Sequence, residues 1–124
     1  MVALAMVLVG ASVFAQKKDL QVGFVYVSPV GNAGWSYAHD QGRKAIESME
    51  GVKTSFVEAV KEGPDSERVF LNMARKGYDV IFGTSFGYMD PMLKVAGQFP
   101  NITFMHCSGF KLAKNMGLGQ RKAR

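Results

Sequence analysis

Two short stretches of this sequence set aromatic side chains beside glycine: Gly34, Trp35, Ser36 and Tyr37 in one, Phe86, Gly87 and Tyr88 in the other. Large flat rings suit stacking on a flat ligand, and a neighbouring glycine lets the backbone come close enough to lend N–H and C=O groups to the ligand's polar rim. The same residues have a second reading, in which Trp35 and Tyr37 pack the first turn of a helix against a sheet. A different chemistry is also spelled out. Gly83, Thr84, Ser85, Phe86 and Gly87 satisfy G-x-S-x-G, and Asp90 and His106 follow in the order of a serine-hydrolase triad. An elbow serine, however, sits where a strand turns straight into a helix, whereas Asp90-Pro91 has the character of an N-cap and first helical position several residues later. No glycine-rich oxyanion segment precedes Ser85, so binding is the stronger reading and hydrolysis by Ser85 the alternative.

The two histidines, His39 and His106, lie far apart with no Cys or carboxylate cluster at ligand spacing, so neither a metal nor another cofactor is expected. His39 reads as a helix-surface residue. His106 closes a strand-like run, where a buried hydrogen-bonded role competes with a role at the ligand edge. Cys107 is the single cysteine of the chain, so it closes no intrachain disulfide and reads as a small buried hydrophobe.

Something must position these residues, and composition limits what it is. The 124 residues are 48% apolar, 20% charged and 11% aromatic, the make-up of a globular domain and not of a disordered or disulfide-stapled chain. The formal charge of +5 is carried by Lys111, Lys114, Arg121, Lys122 and Arg124, with no acidic residue after Asp90. Residues 1–110 are therefore neutral, and a basic excess confined to one short tail does not make a nucleic-acid-binding face.

Strand and helix signals alternate along the chain. Gln21 to Val27 is β-branched and aromatic and ends at the turn-forming run Ser28 to Asn32. Trp35, Ala38, Gly42, Ala45, Ile46 and Met49 then recur at helical steps, which predicts an amphipathic helix ended near Gly51 with those residues facing the core. Lys53 to Val57 is a second strand. Gly63 and Pro64 open a helix with Val69, Phe70, Met73 and Ala74 at helical spacing, capped by Gly77. Tyr78 to Phe82 is an apolar strand, Asp90-Pro91 opens a third helix to about Phe99, and Ile102 to His106 is a fourth strand. The order βαβαβαβ implies an α/β fold, a parallel sheet with helices on both faces and right-handed crossovers, whose ligands bind at the carboxyl ends of the strands. The candidate loops are then Ser28 to Gly34, Ala59 to Pro64, Gly83 to Asp90 and Cys107 to Lys111.

The first fifteen residues are almost continuously apolar, too short to span a bilayer as a helix and ending in small residues at Ala15, so residues 1–15 are expected to be a signal peptide with Gln16 opening the mature chain. They lack a basic n-region. No cysteine stands just after Ala15, so a soluble exported product, and not a lipid-anchored one, is the expectation. A cytosolic flavodoxin-like nucleotide binder, with the leader serving as a strand, is the third alternative.

The segments VGFVYVSPVGNAGWSYAHDQGRKA (Val22 to Ala45) and GYDVIFGTSFGYMDPMLKVAGQFP (Gly77 to Pro100) closely resemble the basic membrane protein family. Its members are substrate-binding proteins of ABC transporters, related to purine-nucleoside-binding lipoproteins, and the resemblance covers roughly Leu20 to Asn115. It implies the first lobe of a type I periplasmic binding protein, which holds a purine base or nucleoside between two lobes and delivers it to ABC permease subunits without converting it. It further implies that Trp35 is the ring-stacking aromatic and Ser36 a polar contact. By the same resemblance Phe86 and Gly87, with Tyr88 beside them, border the ligand, and His106, Ser108 and Gly109 lie in the segment after the fourth strand. Asn32 stands where many relatives carry an acid. On this reading residues 16–110 are part of the first lobe, and 111–124, ending GLGQRKAR, are a basic tail without strand character of the kind a truncation or frame change leaves. One lobe offers one wall, so this stretch alone is expected to bind purines weakly or not at all.

Overall fold

The computed structural model describes residues 18–119. The leader, residues 1–15, and the end of the tail, 120–124, lie outside them. Five strands form one parallel sheet: β1 (Leu20–Val25), β2 (Val52–Val57), β3 (Val80–Gly83), β4 (Thr103–His106) and β5 (Met116–Leu118). Their order is β2-β1-β3-β4-β5. Three helices alternate with them, α1 (Trp35–Glu47), α2 (Pro64–Arg75) and α3 (Met89–Ala96), and a single 3-10 turn, Phe86–Tyr88, leads into α3. The register places Val22 beside Val80 and Ile81 beside Phe104, so apolar side chains of neighbouring strands fall in rows on each face.

Strand alternation divides the core. Val25, Ile81 and Phe104 point to the face covered by α2 and α3, where Phe70, Met73, Tyr88, Met92 and Val95 complete a buried cluster. Close packing there has a visible requirement at Gly83, since a Cβ would lie 2.7 Å from Met92 Cε and 2.9 Å from Phe70 Cζ. Val22, Phe24 and Tyr26 point to the other face, where Ile46, Val80 and Phe82 are only partly buried.

On that second face the apolar side of α1 borders an open cleft against Phe24 and Phe82, and the buried part of the helix is not the expected one. Ala38, Gly42 and Ala45 are exposed, whereas Ser36, Asp40 and Arg43 turn inward. The inward set is the one that can be satisfied. Arg43 Nε donates to Asp40 Oδ1 at 2.6 Å, and its NH1 donates to Thr54 at 2.8 Å and to Glu47 at 2.9 Å. Its guanidinium lies 4.8 Å from the centre of the Phe56 ring, and the Tyr26 hydroxyl donates to Asp40 at 3.2 Å. A buried ion pair is tolerated when hydrogen bonds complete its coordination, as here.

Two further expectations change. Asp90 is not an N-cap: α3 begins one residue earlier, after the 3-10 turn, and the Asp90 carboxylate instead takes the Lys111 ammonium at 2.6 Å. The segment read as a tail without strand character contains β5, whose Met116 pairs with Phe104 and joins the core cluster. Three residues are too few to show alternation, and pairing to β4 supplies what the local pattern lacks.

Candidate functional site

All four loops named from the sequence stand at the carboxyl edge of the sheet, the position at which open parallel sheets receive ligands. Backbone and side-chain bonds tie them together. The first loop ends at Gly34, whose φ of 92° is a conformation glycine adopts without strain, and Trp35 then begins α1. Trp35 Nε1 donates to the Thr84 carbonyl at 2.5 Å, linking the first and third loops. The indole meets His39 edge-on at 4.7 Å and stays 51% exposed. Burial holds the His39 imidazole below its ordinary value, favouring the neutral ring beside Trp35. The Val30 amide donates to Glu58 at 2.6 Å, tying the first loop to the second.

Phe86 is 55% exposed on the third loop, and Phe110, from the loop after β4, is 67% exposed with its ring centre 6.3 Å from that of Phe86. On either side of Phe86 in the chain, the Ser85 hydroxyl and, at 3.0 Å, the Gly87 amide donate hydrogen bonds to the Glu62 carboxylate. A Cβ at Gly87 would displace that carboxylate, so the bare Cα is what admits Glu62 to this position.

The remaining expected site residues are placed differently. Ser36 is buried, its hydroxyl 2.7 Å from that of Ser28. Tyr88 is wholly buried, packs edge-on against Phe70 and donates to the Val60 carbonyl at 2.5 Å, and burial pushes its phenol well above the ordinary value. His106 is buried with Nε2 2.8 Å from the Lys111 carbonyl and its ring against Gly109, where a Cβ would collide with it. It therefore pins the loop that presents Ser108, an exposed non-glycine residue at φ 66°, and Phe110. The structure thus brings Trp35 to the Ser85–Gly87 loop and sets Tyr88 and His106 behind it as supports.

The triad reading finds no geometry. Ser85 bonds to Glu62, Asp90 to Lys111 and His106 to a backbone carbonyl, and none of the three touches another. No group of three metal-ligating side chains occurs among the described residues. Cys107 is half-buried, and burial pushes its thiol up, away from the reactive thiolate.

Glu62, Thr84 and Phe110 were not singled out from the sequence. For Glu62 the one available signal was Gly87, a glycine beside an aromatic whose bare Cα leaves room for something. Which residue fills that room depends on the spatial relation of two loops.

Residues 19–118 match the family described as ABC transporter substrate-binding protein PnrA-like. The chain is 49% identical over 111 residues to a purine-binding protein of Brucella abortus (strain 2308), an alignment covering 88% of this chain and 31% of that protein. It is 44% identical over 104 residues to a protein of Haloferax volcanii named as an ABC transporter glucose-binding protein, covering 83% and 26%. Among solved structures, an ABC transporter solute-binding protein from Conexibacter woesei superposes with a TM-score of 0.72 at 17% identity, over 80% of this chain and 34% of that one. The chain therefore spans between about a quarter and a third of the length of these three proteins.

Proposed function

The chain belongs to the PnrA-like family of ABC transporter substrate-binding proteins, and from that premise we propose that it forms part of the first ligand-gripping lobe of a solute-binding protein whose cargo is a purine base or nucleoside. The observation that carries this reading is the set of exposed rings at the carboxyl edge, Trp35, Phe86 and Phe110, held by glycine-containing loops that hydrogen-bond to one another. Rings fixed in this way offer stacking surface at little further ordering cost. The 49% identical relative named for purine binding supports the ligand class. Trp35, Phe86, Gly87 and Ser108 face the ligand in this proposal, while Ser36, Tyr88, His106 and Gly109 hold them in place. Capture without conversion fits a site whose one candidate nucleophile is committed to a carboxylate, so a fluorophosphonate probe is expected to leave Ser85 unlabelled.

The proposal includes export after removal of residues 1–15, a lobe that begins at 16 and takes in β5 (Met116–Leu118) beyond the expected limit of 110, and hand-over of the ligand to ABC permease subunits by the full-length protein. Mass spectrometry of the secreted product is expected to find Gln16 first, and an intact Met1 there would overturn the leader assignment. Two-lobe proteins close on their ligands, so one wall is expected to bind more weakly than about 1 μM. Titration of the purified chain by NMR with adenosine, adenine and D-glucose tests the ligand class. Shifts confined to the Trp35, Phe86 and Phe110 loops with the purines are the expected result, and a response to glucose alone would replace purine by sugar.

A further inference from the structure

We infer that Glu62 contacts the ligand directly, accepting a hydrogen bond from an N–H or O–H donor on its rim, and biases the site toward neutral nucleosides over their phosphorylated forms; this rests on the carboxyl edge being the ligand face. Glu62 stands on the loop between β2 and α2, and its Oε1 takes both bonds from the third loop, from Ser85 and Gly87. Both donors are neutral. Among the described residues no Lys or Arg pairs with this carboxylate, unlike Asp40, Glu47, Glu67 and Asp90, which all have cation partners. Oε2 takes no hydrogen bond from any described residue.

An ionised carboxylate has only acceptor sites, so the free oxygen can be satisfied by a donor and by nothing else. Glu62 is exposed and bonds the residues on both sides of Phe86, so a ligand stacked on that ring passes close to it. A sugar hydroxyl or a base N–H supplies the donor. A phosphate brought to the same place meets a like charge that is held in no salt bridge with a described Lys or Arg. The bonds to Ser85 and Gly87 fix the carboxylate before the ligand arrives, which lowers the ordering cost of recognition.

Glu62→Gln separates this role from a structural one. The amide oxygen can still accept from Ser85 and Gly87, while the other position changes from acceptor to donor. The experiment titrates the whole chain, wild type and E62Q, by NMR with adenosine, adenine and AMP up to about 5 mM, and follows the Gly87 amide in the free proteins. The expected result is an unchanged Gly87 amide, adenosine affinity about 10- to 100-fold weaker in E62Q, and a wild-type preference for adenosine over AMP that the variant loses. Adenosine binding within about twofold of wild type in E62Q overturns the inference and leaves the function standing. Loss of both affinity and the Gly87 signature overturns it in favour of a loop brace. A wild-type chain that shifts with neither adenosine nor adenine overturns the inference, and a response to D-glucose in their place overturns the functional reading with it.

Discussion

The two faces of the sheet are built by different means. Against α2 and α3 the contacts are apolar and closed: Phe70, Ile81, Tyr88, Met92, Val95 and Phe104 are essentially free of solvent. Against α1 the centre of the contact is the Tyr26–Asp40–Arg43 network, and beside it a cleft of about 300 Å³ runs between Phe24 and Phe82 on the sheet and Ala38, Gly42 and Ile46 on the helix. The first face is held by shape and burial and tolerates little change in volume. The second is held by a small number of directional bonds and leaves apolar surface open, so its stability depends on charge state and the other's does not.

That contrast can be broken by substitution. The largest effect is expected at Phe70→Ala, which empties the closed face and should lower unfolding free energy by about 4 kcal/mol, read from urea denaturation. A loss as small as that of an exposed residue would mean the face is not closed. Asp40→Ala comes next at about 3 kcal/mol, because buried Arg43 and Tyr26 lose the carboxylate between them and Arg43 keeps only the exposed Glu47 as counter-ion. The same network gives the molecule an acid limit. Burial by itself would raise the Asp40 carboxyl, but hydrogen bonds from Arg43, Lys44 and Tyr26 outweigh it and hold the carboxyl below the usual carboxylate range. A folded-state pKa below the unfolded value stabilises the protein above the usual carboxylate pKa, and that stability drains away as pH falls toward the depressed folded value. Denaturation midpoints measured down the acid range should therefore fall more steeply in wild type than in Asp40→Asn, and parallel curves would remove Asp40 from the account.

Phe82→Ala sharpens the comparison from the other side. Phe82 stacks on Phe24 with ring centres 4.8 Å apart but borders the open cleft, so about 2 kcal/mol is expected, half the cost at Phe70. Equal costs at the two positions would show the faces to be equivalent. The smallest expected effect on folding is at Trp35→Ala, since the ring is half in solvent and makes one hydrogen bond. Its effect belongs to binding, where adenosine affinity should weaken about tenfold or more. Unchanged affinity with lowered stability would return Trp35 to the packing role that its sequence context also allows.

Much of this architecture was legible residue by residue. Pro64 after Gly63 marks the start of α2, Gly77 its end, and the apolar run before Gly83 a strand inside the sheet, because turn chemistry and short-range periodicity act within a few residues. The loops that carry Trp35 and Phe86 could be placed at one edge of the sheet for the same reason, since strand and helix alternation dictates where parallel strands end. That the polar stripe of α1 is its buried part was not legible. Its polar stripe is buried only because Tyr26, Thr54 and Phe56 from two strands are there to receive Asp40 and Arg43, and periodicity sees one helix at a time. Tertiary structure likewise decided that Met116–Leu118 is a strand, that Tyr88 and His106 support the edge from within, and that Glu62 meets Gly87. Local sequence determines which conformations a segment prefers, whereas a buried charge, a three-residue strand or a hydrogen bond between loops takes its free energy from partners that only the folded chain brings within reach.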